Sequence, residues 1–124
     1  MSKPCTFCAL PETSIIDQNE LAIAVRDKFP VNPGHTLIIP KRHVASYFDL
    51  TDDEMMAIMQ LIRRAKQAID SEFGPDDYNL GVNNGPVAGQ TIAHVHVHVM
   101  PRYRDDVDDP RGGVRNVIPQ RAVY

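Results

Sequence analysis

Residues 92–100 read Ile92-Ala93-His94-Val95-His96-Val97-His98-Val99-Met100, and Pro101 follows. Imidazole and isopropyl groups alternate with a period of two, the repeat of a β-strand. The pattern predicts a strand over 92–100, closed by Pro101, with its valines facing a core. His94, His96 and His98 then face the other way together, roughly 7 Å apart per step. Three imidazoles in line are unusual on a surface, because each can take or release a proton near neutral pH. Alone, the pattern fits a surface metal site as well as a catalytic array.

Immediately upstream, Ala88-Gly89-Gln90-Thr91 offers backbone N–H groups, an amide and a hydroxyl. A small-residue turn of this kind can approach an anion and donate to its oxygens. By itself it is a plain turn; beside three histidines it predicts a phosphate cradle. Further back, Asp77 to Asn84 predicts a strand ending at the turn Asn84-Gly85-Pro86. Thr51 to Phe73 is the clearest element. Thr51-Asp-Asp-Glu54 is a capping box, and Met55, Ile58, Met59, Ile62, Ala65, Ile69 and Phe73 form one apolar helical stripe, stopped by Gly74-Pro75. Toward the N-terminus, Ile15–Glu20 and Leu21–Arg26 predict a hairpin, and His35–Pro40 predicts a further strand bounded by Gly34 and Pro40.

The chain has 124 residues, a length that fits one domain and buries roughly two thirds of its unfolded surface. The net charge of −3 argues against a broad basic face for nucleic acid. No stretch has the length of a membrane span, and the N-terminus lacks a secretory signal's apolar run, so a cytoplasmic protein is expected. There, the pair Cys5-x-x-Cys8 points to metal or redox chemistry rather than a structural disulfide. The absence of a following βαβ pattern weakens the redox alternative.

His94-Val-His96-Val-His98-Val-Met100 resembles the signature of the histidine-triad superfamily of nucleotide hydrolases and transferases. The resemblance extends through Asp27, Pro33-Gly34-His35-Thr-Leu-Ile-Ile-Pro40, and Asn83 to Ala88-Gly-Gln-Thr91, and covers roughly residues 5 to 103. The ending His-Val-Met-Pro-Arg is closest to the fragile-histidine-triad branch, whose members cleave diadenosine polyphosphates. Asp27 and Asn83 instead resemble the phosphoramidase branch. His98 is retained where the transferase branch has Gln, which favours hydrolysis.

The resemblance implies an α+β fold, with an antiparallel sheet of about five strands and one long helix, the sheet extended across a homodimer. It implies a single histidine-triad domain over 1–124, with 102–124 as a C-terminal tail. It implies that His96 attacks the α-phosphorus and forms a nucleotidyl-histidine intermediate, its other ring nitrogen donating to a backbone carbonyl. His94 belongs to the same catalytic triad, and His98 and His35 flank the phosphate. Gly89, Gln90 and Thr91 hold the α-phosphate, with Gln90 also in the catalytic group and Asn83 assisting. Asp27 accepts from the ribose hydroxyls. With His35, His96 and His98 assigned to phosphate, His43 and His94 remain to join Cys5 and Cys8 on a structural zinc, as in some bacterial members. A divalent cation accompanying the polyphosphate is a further expectation, although no carboxylate cluster dedicated to one is visible.

Lys41, Arg42, Arg102 and Arg104 read as solvated surface charge, with one or two of them available to distal phosphates. The tail carries an acidic loop from Asp105 to Asp109 and a short apolar Val117-Ile118. The dimerising habit of the family places it over a partner's active site. The expected function is hydrolysis of a dinucleoside polyphosphate such as diadenosine tri- or tetraphosphate. The alternatives are a purine nucleoside phosphoramidase and a zinc-containing nucleotide-binding interaction module.

Overall fold

The structure is a computed structural model that describes residues 5–124. Residues 1–4, part of the stretch without a secretory signal's apolar run, lie outside the described residues. Five strands form one antiparallel sheet: β1 (Ile15–Gln18), β2 (Ala22–Arg26), β3 (Thr36–Pro40), β4 (Asp77–Gly81) and β5 (Val97–Arg102). Their spatial order is β1-β2-β3-β5-β4, so β1 and β4 are the edges and β5 lies between β3 and β4. This is the expected α+β architecture.

The helix α1 (Asp52–Phe73) starts where its capping box predicts. Thr51 Oγ1 accepts from the Glu54 N–H (3.1 Å), and Glu54 Oε1 accepts from the Thr51 N–H (2.9 Å). Gly74 ends it in the left-handed conformation that favours glycine. The buried stripe is Ala57, Ile58, Leu61, Ala65 and Ile69, rotated slightly from the one expected. Leu61 is fully buried, whereas Met59 and Phe73 lie exposed at the margins. Each fully buried Ile or Leu in this stripe contributes about 1.5–3 kcal/mol.

The stripe packs on one face of the sheet with Ala22, Ala24, Ile38, Val95, Val97 and Val99. The opposite face holds a smaller cluster of Ile23, Val25, Leu37 and Ile39, covered by Phe7, Leu10 and Ile15. β2 and β3 are therefore apolar on both faces and read as continuous runs.

Two strands differ from expectation. The fourth ends at Gly81 rather than Asn84. The histidine strand begins at Val97, not Ile92, and runs through Pro101, which pairs with Tyr78. Residues 94–96 instead run beside residue 44, where the Val95 N–H donates to the Val44 carbonyl (2.8 Å). His94 leaves the alternation and is buried, while His96 and His98 keep it. Among the described residues, no helix is long and apolar enough to cross a membrane.

Candidate active site

A cavity of about 550 Å³ lies over the β2–β3–β5 face of the sheet. Asp27, Asn83, Gly89, Gln90, Thr91, His96 and His98 all line it, drawn from just after β2, the loop after β4, the approach to β5 and β5 itself. Its remaining wall is mostly apolar: Phe7, Leu10, Val25, Phe29, Leu37 and Ile92. His35 and His94 do not line it. Each stands behind one of the two histidines that do.

The His96 Nδ1 lies 3.0 Å from the carbonyl oxygen of His94. A carbonyl only accepts, so the neutral ring carries its proton on Nδ1 and leaves the lone pair on Nε2. This is the state that an imidazole nucleophile needs.

His98 is set the opposite way. The Val31 N–H donates to His35 Nδ1 (3.1 Å), which leaves the proton of a neutral His35 on Nε2. That Nε2 stands 3.0 Å from His98 Nδ1 and 3.4 Å from Asp27 Oδ2. Donation to His98 Nδ1 puts the His98 proton on Nε2. Burial holds both residues neutral: His35 falls below the ordinary histidine value against the pull of Asp27, and His98 falls to about 4. Adjacent histidines thus present a lone pair and an N–H. Asp27, His35 and His98 also bring ligand atoms together as a metal group would, but these hydrogen bonds already engage them.

Gln90 holds its own loop. Its Nε2 donates to the carbonyls of Ala45 (2.9 Å) and Ile92 (3.0 Å), and its Oε1 accepts from the Gly85 N–H (2.8 Å). Gly89 sits at φ +96°, a conformation that a Cβ would disfavour. Asp27 Oδ1 accepts from the Phe29 N–H (2.9 Å).

A second group lies beside the cavity. Cys5, Cys8, His43 and His94 bring one ligand atom each within 4.8 Å of one another. His94 Nε2 donates to the Pro40 carbonyl (2.8 Å), so the Nδ1 lone pair faces Cys5 Sγ (3.4 Å) and Cys8 Sγ (3.5 Å). His43 Nδ1 lies 3.3 Å from Cys8 Sγ. A tetrahedral zinc with ordinary bond lengths separates sulfur from nitrogen by about 3.6 Å. Donor set and spacing both fit such an ion, and the Pro40 carbonyl fixes the tautomer of His94 as a supporting partner should.

Two charges read as solvated are anchored. Arg42 makes two hydrogen bonds to Glu54, at 3.0 and 2.8 Å, and holds that buried carboxyl down to about 2. Arg102 bonds Asp106 with two nitrogens and Asn79 with a third. The tail folds into two short 3₁₀ turns, Gly113–Val117 and Pro119–Arg121, with Gly113 against Asn79 of β4.

The profile of one protein family, described as the HIT domain, matches residues 11–105. The chain belongs to the HIT family. A bis(5′-nucleosyl)-tetraphosphatase of Schizosaccharomyces pombe is 36% identical to this HIT protein over 110 residues, which cover 88% of this chain and 60% of the relative. An adenosine 5′-monophosphoramidase of the same organism is 34% identical over 106 residues, covering 82% and 77%. A zinc-bound histidine triad family protein from Mycobacterium smegmatis shares the fold at a TM-score of 0.74, with 31% identity over 82% of this chain and 77% of that one.

The histidine pattern points to the cavity, but no sequence motif marks Leu10 or Phe29 as part of its wall. The one available signal is the position of Phe7 between the two cysteines.

Proposed function

We propose that this HIT protein hydrolyses dinucleoside polyphosphates, such as diadenosine tri- or tetraphosphate, through a nucleotidyl-His96 intermediate. The observation that carries the reading is the opposed protonation of His96 and His98 in one cavity with Asp27 and the Gly89–Thr91 loop. Nε2 of His96 attacks the α-phosphorus. The N–P bond forms as the P–O bond to the bridging oxygen breaks, and that oxygen departs with its electron pair, hydrogen-bonded to His98 Nε2–H. Water then attacks the same phosphorus, the N–P bond returns its pair to Nε2, and the water's proton passes to solvent. Asp27 accepts from the ribose hydroxyls, and Asn83 and Thr91 donate to the phosphate. A divalent cation accompanies the polyphosphate and screens its charge.

A second reading, nucleoside phosphoramidase, is supported by Asp27 and Asn83, which match that branch and both line the cavity. It uses the same nucleophile with an amine as leaving group.

Zinc fits the Cys5, Cys8, His43 and His94 group, where four protein ligands leave no open position and give it a structural role. A homodimer joined through β4, one of the two edges of the sheet, extends the sheet across the assembly.

The test is turnover of diadenosine triphosphate, diadenosine tetraphosphate and adenosine phosphoramidate by the unaltered protein and by His96→Ala. Faster His96-dependent cleavage of the dinucleotides is expected. Faster cleavage of the phosphoramidate selects the second reading. No cleavage of any of the three, with nucleotide still bound, leaves a zinc-containing binding module instead.

A further inference from the structure

Two routes connect the four-ligand group to the ring of His96. The first is His94, whose Nδ1 faces both sulfurs while its own carbonyl accepts the His96 Nδ1 proton. The second is Phe7. It lies inside the Cys5–Cys8 turn, and its ring stands edge-on to His96, with 4.9 Å between centroids at 68°. It also stands edge-on to His94, at 6.0 Å and 86°. Phe7 and Leu10 wall the cavity that holds His96 and Asp27.

The turn itself is weakly tied down. Thr6, Cys8 and Ala9 are exposed, and its internal hydrogen bonds, Ala9 N–H to Cys5 O (3.2 Å) and Cys8 N–H to Cys5 Sγ (3.4 Å), are local. Among the described residues, the hydrogen bonds that join residues 5–10 to the rest of the chain are the sulfur–imidazole contacts of the four-ligand group. Apart from the packing of Phe7 and Leu10, the ligand group is what holds this wall of the cavity in place.

We infer that Phe7 is a positioning residue through which metal held by Cys5, Cys8, His43 and His94 tightens nucleotide binding. The inference rests on the nucleotide reading of the cavity. Metal fixes the turn, the turn fixes Phe7, and Phe7 fixes both the apolar wall and the angle of the His96 ring. A metal that served only global stability would raise the melting temperature and leave the nucleotide affinity of the folded protein unchanged. Coupling between two sites is reciprocal: the factor by which metal tightens nucleotide is the factor by which nucleotide tightens metal.

The experiment uses the full chain and AMP as probe. AMP affinity is measured by calorimetry on zinc-loaded protein and on protein stripped by chelator under reducing conditions, with the fold checked by circular dichroism. Stripping is expected to weaken AMP about tenfold, within the usual range of coupling between sites, and AMP should tighten zinc by the same factor in a chelator competition. Zinc-loaded Phe7→Ala should lose AMP affinity and its response to zinc. Phe7→Leu restores an apolar wall but no ring, so it should recover KM more fully than kcat. Equal AMP affinity with and without zinc overturns the inference, as does a chain that retains no zinc. Where the stripped protein unfolds, undiminished AMP affinity in loaded Phe7→Ala overturns it. A loaded, unaltered protein that binds no AMP instead overturns the nucleotide reading beneath it.

Discussion

The carbonyl oxygen of His94 lies 3.0 Å from Nδ1 of His96, while the side chain of His94 points away from the cavity, into the metal-ligand group. One residue therefore sets the tautomer of His96 through its backbone and offers a ring nitrogen to the four-ligand group. His94→Ala is expected to abolish zinc retention and to lower stability by about 2–4 kcal/mol, because it leaves a hole where a buried ring stood. Turnover should fall through kcat with a smaller change in KM, since His94 does not line the cavity. Metal analysis, urea denaturation and steady-state kinetics check the three parts. Unchanged kcat would separate His94 from the nucleophile.

His98 makes the protein acid-sensitive. Its folded value is about 4, against an ordinary 6.5, and burial is the main cause. Between those two values the unfolded chain holds the extra proton, so stability rises with pH there and is lost as pH falls from 6.5 to 4. The loss attributable to His98 is on the order of 3 kcal/mol. His35 is lowered too and adds slope of the same sign. His98→Asn should flatten the acid limb of stability without abolishing it, and should reduce turnover by about 10²–10⁴-fold. Denaturation at a series of pH values decides the first claim. An unchanged slope in the variant would refute it.

Local signals carried much of this fold. The capping box and stripe place α1 to within a residue at each end, because both act over one or two helical turns. His96 and His98 keep the alternation and reach the cavity as expected. His94 does not, because three partners distant in sequence claim it: Pro40 on one nitrogen and the two cysteines on the other. Arg42 reads as solvated from the sequence for a similar reason, since its partner Glu54 belongs to the capping box and serves both. Phe7 carries no pattern of its own; only the closing of the cysteine turn against β5 brings it to His96.

Gln90 tests whether the loop before the histidines is held or only hinged. All three of its side-chain hydrogen bonds go to backbone groups, of Gly85, Ala45 and Ile92. Gln90→Ala should destabilise the protein by about 1–3 kcal/mol and raise KM as the loop loosens. Gln90→Glu should do worse, because it sets a carboxylate against the carbonyls of Ala45 and Ile92. Thermal denaturation of the two variants gives the ranking. A loss of activity in Gln90→Ala with no loss of stability would point to direct contact with substrate.

The free edge of β4 gives the last prediction. Among the described residues β4 pairs only with β5, so one row of its backbone groups lacks a neighbouring strand. Such an edge invites pairing with another chain unless it is blocked. Beside it, Leu80 is 49% exposed and Met59 40%, and together with Met55, Ile62 and Val97 they line one apolar groove between α1 and the strand. A twofold axis perpendicular to the sheet beside β4 would pair the edge antiparallel with its copy and keep both grooves on one face, so each substitution would appear twice in the interface. The unaltered protein should therefore run as a dimer in light scattering, and Leu80→Glu combined with Met59→Glu as a folded monomer. Neither residue lines the cavity that holds His96, so AMP binding measured on that monomer reports whether the site works alone. An unaltered protein that is monomeric at micromolar concentration would remove β4 as the interface.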